Sequence, residues 1–214
     1  MHNTSQTDRT GNSTYRIRWS LASAFFAYTL LVRLLPYLFH RLGIQVDPSV
    51  GYYPWNFSPA FAACLFTGAF CIDRRVSLLL PIVTFLISDL GIWALTGRAD
   101  WAFYPAQFAV YSCLLCCTVF GFLLREKHSI SRIAGAGLAG CIVFFIVTNF
   151  AVWALGDTYP HTPAGLIQCY VAAIPYFRNS LLGTAFFSAV LFSPVCLKET
   201  STLSTQPVPN QQPA

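Results

Sequence analysis

The sequence predicts an all-α integral membrane protein with six transmembrane helices and a short interfacial helix in the last outer loop. Three observations lead to this fold class. Hydrophobic residues make up 55% of the 214 residues and charged residues only 10%, which lies outside the usual range of soluble domains. The apolar residues form six stretches, most of them near the roughly 20 residues that cross a bilayer. Basic residues are unevenly divided between the loops that connect these stretches.

The six stretches differ in length, and the second is the shortest. The predicted spans are residues 19–39, 59–72, 76–95, 106–124, 133–155 and 180–197. At about 1.5 Å per residue, residues 59–72 extend only about 21 Å. This stretch therefore either re-enters the membrane or crosses it with help from the preceding loop.

The distribution of Lys and Arg residues indicates that residues 59–72 cross the membrane. If all six stretches cross, only Arg41, Arg98 and Arg178 lie in loops on one side, and nine basic residues lie on the other. These nine are Arg9, Arg16, Arg18, Arg74, Arg75, Arg125, Lys127, Arg132 and Lys198. A chain with five spans would move several of them outside, against the positive-inside rule. The sequence therefore predicts six spans with both termini in the cytoplasm.

The chain divides into three regions. Residues 1–18 are a polar cytoplasmic N-terminus, residues 19–197 form the transmembrane domain, and residues 198–214 are a cytoplasmic tail that we expect to be disordered. The first span has no convincing small-residue cleavage site, so it is predicted to be an uncleaved anchor. The net charge of +5 follows from the basic inner loops and does not indicate binding to nucleic acid.

The last outer loop predicts a helix of its own. Thr162 followed by Pro163 is a typical helix start, and Pro175 is expected to end the helix. About twelve residues are too few to cross the membrane. The prediction is an interfacial helix over the outer mouth, either as a lid over a pocket or as a brace.

Polar residues in and beside the spans lie toward the outer end, and such groups are costly in hydrocarbon. Their one-sided distribution predicts a binding pocket that is open to the outside. The candidate ligand-binding residues are Arg33, Trp55, Asn56, Asp89, Gln107, Asn149, Trp153, Gln168, Tyr170, Arg178 and Asn179. Arg33 and Asp89 either pair with each other or hold a charged or zwitterionic substrate. Asn149 and Trp153 are four residues apart and share a helical face, which suits either a planar ligand or a hydrogen bond between helices.

The sequence predicts no metal, no cofactor and no enzyme. Cys113, Cys116 and Cys117 have the spacing of half a metal site, but no second Cys pair or His completes it. All four histidines lie outside the spans, which argues against an intramembrane haem with two His ligands. Walker A, nucleophile-elbow and zinc-protease motifs are absent from the sequence, and Asp89 has no recognisable catalytic partner.

Small residues at the inner end of the fifth span, between Ala134 and Gly140, allow another helix to approach closely. They indicate either packing within this protein or a docking surface for a second membrane subunit.

Several sequence runs resemble a bacterial membrane family of unknown function. They are Pro54-Trp-Asn-Phe-Ser-Pro59, Ser88-Asp89, Val147-Thr-Asn-Phe-Ala-Val-Trp153, Tyr159-Pro with Gly165-Leu, and the segment from Cys169 to Gly183. That family is similar in topology to the substrate-binding S components of energy-coupling-factor transporters, which have six helices, cytoplasmic termini and an outward site under outer loops. Two features depart from the family: residues 37–55 lengthen the first loop, and Thr184 stands where an acidic residue is expected.

The resemblance implies a subunit of the bacterial inner (cytoplasmic) membrane that captures a small polar or aromatic, vitamin-like metabolite from outside. Uptake would then need separate partners, an ATPase and a transmembrane coupling subunit. The alternative is a membrane scaffold or assembly factor without a ligand, in which the polar residues only tie helices together.

Overall fold

The computed structural model describes residues 19–44, 55–71, 73–127, 129–193 and Cys196. This part of the chain is all-helical, with seven α-helices and no strand. The helices are α1 (Trp19–Arg41), α2 (Ala60–Phe70), α3 (Arg74–Thr96), α4 (Ala99–Ala102), α5 (Gln107–Phe122), α6 (Ile130–Leu155) and α7 (Pro163–Leu191). The predicted N-terminal region 1–18 and tail 198–214 lie outside the described residues.

Four helical segments in the described part of the chain are long and apolar enough to cross a membrane. They are Ser23–Arg41, Arg74–Thr96, Ala99–Phe122 and Ile130–Leu155. Length and composition therefore indicate a membrane protein. The predicted second and sixth spans correspond to the short helix α2 and to the second half of α7, and neither helix is among these four.

The predicted interfacial helix is not a separate element. Thr162 caps α7 as predicted, because its hydroxyl accepts a hydrogen bond from the Gly165 N–H at 3.2 Å. The helix then continues through Pro175 to Leu191, so the prediction that Pro175 ends it is wrong. A proline removes one backbone hydrogen bond, but buried residues on both sides of it, among them Cys169 and Ser180, hold the two halves of α7 against the bundle.

Helix α2 is the buried centre of the bundle. All 11 of its residues are buried, and it contacts α1, α3, α5, α6 and α7. Its sequence, AFAACLFTGAF, has no charged residue on any face, and a helix that is apolar all round is buried. At about 1.5 Å per residue it extends only about 16 Å, roughly half the thickness of a bilayer core. Its N-terminal end therefore lies inside the bundle.

Two glycines bring the backbones of α2 and α5 into direct contact. A Cβ atom at Gly68 would lie 2.3 Å from the Thr118 carbonyl oxygen, and one at Gly121 would lie 2.5 Å from the Leu65 carbonyl oxygen. Nearer the start of α2, the Cys117 thiol donates to the Phe61 carbonyl oxygen at 3.6 Å. Because residue numbers rise together along the contact, α2 runs in the same direction as α5 and lies beside its second half.

Arg125 binds the C-terminal end of α2. Its Nε donates to the Gly68 carbonyl oxygen at 2.9 Å, and its Nη2 donates to the Cys71 carbonyl oxygen at 2.7 Å. The last carbonyl groups of a helix have no partner within the helix, and a cation there also interacts favourably with the helix dipole. Partial burial, with a smaller contribution from nearby Arg74, lowers the pKa of Arg125 from its usual value.

We expect Arg125→Ala to lower the free energy of unfolding by about 2 kcal/mol, because two carbonyl groups at the end of α2 lose a charged donor. Thermal or denaturant unfolding of the purified protein in detergent measures this loss. Arg132→Ala is the control, since Arg132 is an exposed arginine on α6. Equal stability of the two variants would show that Arg125 does not hold α2.

The small residues of α6 pack within the protein. A Cβ atom at Gly137 would lie 3.1 Å from the Thr184 Cγ2 atom on α7, and one at Gly140 would lie 3.0 Å from the Cys117 Sγ atom on α5. The contacts of Gly137 and Gly140 therefore support packing within this protein, the first of the two alternatives for this segment.

Candidate functional site

Asp89 is the centre of a polar cluster that joins three helices. Its side chain is fully buried on α3. Arg33 on α1 forms an ion pair with its Oδ1 atom, and Gln107 and Tyr111 on α5 both donate hydrogen bonds to its Oδ2 atom. Both carboxylate oxygens thus have donors within the protein. Of the alternatives for Arg33 and Asp89, the structure contains the ion pair.

Helical spacing builds this cluster. Gln107 and Tyr111 are four residues apart and lie on the same face of α5, so both reach one carboxylate oxygen. The Gln107 amide also donates to the Ala102 carbonyl oxygen at 3.2 Å, which fixes its orientation. A buried carboxylate is tolerated only when it is paired and hydrogen-bonded, and these three partners meet that requirement.

A cavity of about 720 Å³ lies beside the cluster, at the N-terminal end of α2. Because α2 is short and lies beside the second half of α5, it leaves space next to the first half of α5. The lining residues are Thr29, Val32, Arg33, Pro36, Tyr37, His40, Trp55, Asn56, Ser58, Ala60, Phe61, Phe85, Ile92, Trp101, Tyr104, Val110, Leu114, Phe144 and Ser180. The volume is in the range of sites that bind small molecules, roughly 300 to 1,000 Å³.

Aromatic rings form much of the cavity wall. The Trp101 ring centre lies 6.1 Å from that of Tyr37 and 5.4 Å from that of His40. Phe61 and Phe144 meet edge to face with ring centres 4.9 Å apart. Such surfaces favour planar or apolar ligand groups, because they offer stacking contacts and exclude water.

Arg33 is the positively charged side chain at this wall. Its guanidinium carbon lies 4.2 Å from the centre of the Phe85 ring, which supports the cation on one side. The Arg33 side chain is 22% exposed, whereas that of Asp89 is 0% exposed. Arg33 therefore borders the cavity, and its counter-ion lies behind it.

The segment that leads into α2 is held from α7. The Asn179 side-chain amide donates to the Trp55 carbonyl oxygen at 3.0 Å. A Cβ atom at Gly183 would lie 3.1 Å from the Ser58 nitrogen, so the absence of a side chain allows close approach. Asn56 has a positive φ of 65°, a conformation that Asn tolerates better than most residues. Trp55 and Asn56 therefore border the cavity in a fixed turn.

Three other candidate residues form hydrogen bonds to backbone carbonyl groups away from the large cavity. The Asn149 amide donates to the Phe145 carbonyl oxygen of its own helix at 2.7 Å. The Trp153 indole N–H donates to the Pro160 carbonyl oxygen at 2.9 Å, and the Tyr170 hydroxyl donates to the Ile146 carbonyl oxygen at 2.8 Å. None of the three lines the large cavity.

A smaller cavity of about 110 Å³ lies next to the large one. Asn149 lines it, and Asn56, Phe144 and Ser180 line both cavities. Gln168 and Arg178 are exposed and line neither of the two. The structure thus brings Arg33, Trp55 and Asn56 together at the large cavity, with Asp89 and Gln107 behind Arg33.

Several lining residues were not among the candidates predicted from the sequence, although helical spacing indicates two of them. Tyr37 is four residues after Arg33, and Phe85 is four residues before Asp89, so each shares a face with a charged residue. Trp101 and Tyr104 belong to α4 and the segment after it, where no periodic pattern was available.

The cysteine triplet on α5 packs against neighbouring helices. Cys113 and Cys117 are buried, and Cys116 is partly buried. Within the ranges that the structure describes, no three His, Cys, Asp or Glu side chains come together as metal ligands.

Comparisons with known proteins give one match. A family model described as "Family of unknown function (DUF6580)" matches residues 13–206. No curated protein and no solved structure matches the chain.

Proposed function

The chain belongs to this family of unknown function, and we propose that it is a membrane solute-binding subunit that holds a small polar or aromatic metabolite beside Arg33. The cavity of about 720 Å³ carries this proposal. It combines aromatic walls with one arginine, and its size suits a small molecule. Few polar groups on a largely apolar wall are typical of ligand sites.

The proposed role is uptake across a bacterial cytoplasmic membrane. We propose the six-span topology, with α2 and its preceding loop as the second span and the second half of α7 as the sixth. Under the positive-inside rule this topology has cytoplasmic termini, and the cavity faces outward. The sequence carries no ATP-binding motif, so transport would require a separate ATPase and a transmembrane coupling subunit. This proposed topology would be that of the S components, which have six helices, cytoplasmic termini and an outward site.

A scaffold or assembly factor is the second candidate. Several polar side chains join separate parts of the fold: Arg33 and Gln107 bind Asp89, and Asn179 binds Trp55. If the polar residues only stabilise the bundle, filling the cavity would leave the biological function intact. A binding protein, in contrast, would lose function when its cavity is filled.

Native mass spectrometry of the gently purified protein tests the proposal, with Val110→Phe as the filling variant. Val110 lines the cavity, and Val119 is an exposed residue on the same helix, so Val119→Phe is the matched control. We expect a retained small molecule in the wild type and in Val119→Phe, and at least about tenfold lower occupancy in Val110→Phe, a change of about 1.4 kcal/mol.

The same spectra distinguish the two candidates. Equal ligand occupancy in both variants would place the ligand outside the cavity and contradict the proposal. An apo wild type that associates with other membrane proteins would favour the scaffold. Co-purification of an ATPase would support the uptake role, and its absence from a ligand-loaded protein would limit the function to binding.

A further inference from the structure

We propose that the cavity selects a monoanion: a planar, largely apolar ring system that carries a single carboxylate or a similar anionic group. This inference rests on the proposed function and names the class of its ligand. It excludes the zwitterionic ligand that Arg33 and Asp89 together would suggest.

The bonding of Asp89 removes the anionic half of a zwitterion site. Its side chain is 0% exposed, and Arg33, Gln107 and Tyr111 occupy both of its oxygens. A ligand ammonium group would have to displace these donors to reach it. Asp89 is not among the lining residues, and none of the lining residues that the structure describes is acidic.

Arg33, in contrast, is available to a ligand. A guanidinium group has five N–H donors in a planar fork, and the ion pair with Asp89 uses only the Nη2 side. The Phe85 ring supports one face, and the Tyr104 phenol interacts with Arg33 beside the cavity. Within the described lining, Arg33 is the one lysine or arginine. A carboxylate is the group whose geometry matches the remaining donors.

The ion pair between Arg33 and Asp89 limits the distance over which Arg33 attracts an anionic ligand group. Asp89 cancels much of the Arg33 charge at long distance, so selection depends on short-range hydrogen bonds to the guanidinium group. A carboxylate makes charge-assisted hydrogen bonds there, and a neutral amide makes weaker ones. A ligand ammonium group beside Arg33 would lose hydration without gaining an acidic partner in the described lining.

The walls select the body of the ligand. Trp101 with Tyr37 and His40 forms one aromatic surface, and Phe61 with Phe144 forms another. A planar ring gains area contact and stacking from such surfaces. A highly hydroxylated ligand would leave polar groups unpaired against them.

Binding of three probes with the same indole ring tests the inference on the full-length protein in nanodiscs. The probes are indole-3-propionate, its neutral amide, and L-tryptophan, which adds an ammonium group to the propionate skeleton. We expect the propionate to bind at least about tenfold more tightly than either of the others, because only it offers a lone carboxylate. Equal or tighter binding of the amide or of L-tryptophan would overturn the inference and leave the solute-binding function standing.

The double variant Arg33→Gln/Asp89→Asn shows whether Arg33 is the source of the preference. It removes both charges together, so it leaves no unpaired buried charge. We expect the preference for the propionate over the amide to fall below about threefold while the amide still binds. An unchanged preference would assign the anion to another residue and overturn the inference, with thermal unfolding of the variant as the check on its fold.

If none of the three probes binds, the native mass spectra decide which of the two proposals fails. A co-purified cation, zwitterion or neutral molecule would contradict the inference alone. No retained molecule and no probe binding would contradict the solute-binding function as well.

Discussion

Asp89→Ala is expected to destabilise the protein by about 3 kcal/mol. The substitution leaves the Arg33 guanidinium, which is 22% exposed, in a largely apolar site without its counter-ion. It also removes the acceptor shared by Gln107 and Tyr111, so the bonds that join α1, α3 and α5 are lost. Breaking a buried pair typically costs about 3 to 5 kcal/mol, and the partial exposure of Arg33 favours the lower end. Denaturant unfolding in detergent measures the loss.

Two controls identify the cause of this effect. Asp100 pairs with Arg98 at 2.7 Å, but both side chains are exposed, so Asp100→Ala is expected to cost much less stability than Asp89→Ala. In a double-mutant cycle, Arg33→Ala/Asp89→Ala should be at least about 1 kcal/mol more stable than the sum of the single losses implies. Additive losses would show that the ion pair does not stabilise the bundle.

Gly68→Ala is expected to cost about 3 kcal/mol or more, or to prevent accumulation of folded protein. The new Cβ atom would lie 2.3 Å from the Thr118 carbonyl oxygen and 2.9 Å from the Gly121 Cα atom. Both are backbone atoms of α5, so no side-chain rotation relieves the clash. Overpacking usually costs about 1 to 3 kcal/mol, and displacement of a buried helix belongs at the upper end. The amount of monodisperse protein after extraction and its thermal unfolding give the readout.

Gly135→Ala is the matched control for this substitution. A Cβ atom at Gly135 meets nothing within 4 Å, and the residue is exposed on α6. Because Ala is a better helix former than Gly, this variant should be unchanged or up to about 1 kcal/mol more stable. Similar behaviour of the two variants would mean that the contact between α2 and α5 is not tight.

Helices α1, α3, α5 and α6 were predictable because a run of apolar residues is a local property of the sequence. The stretch 76–95, for example, corresponds to Arg74–Thr96, and the stretch 133–155 to Ile130–Leu155. The continuation of α7 through Pro175 was not predictable in this way. It depends on contacts that residues on both sides of the proline make with the rest of the bundle.

The candidate site was predictable only in part, for a related reason. A charge in an apolar helix requires a partner, so Arg33 and Asp89 could be recognised as a candidate pair from the sequence. The direction in which an amide points depends on helix rotation and on nearby carbonyl groups. Asn149 donates to its own helix, and Gln168 is exposed and lines neither cavity, although both were predicted to contact a ligand in the outer pocket.

The most direct test of the binding cavity is an experimental structure of the protein, extracted gently from its own membrane without added ligand. We expect non-protein density against the Trp101 ring, with its polar end within hydrogen-bonding distance of Arg33. A cavity closed by the surrounding side chains, or filled only by a lipid or detergent chain that leaves Arg33 without a ligand contact, would contradict the account.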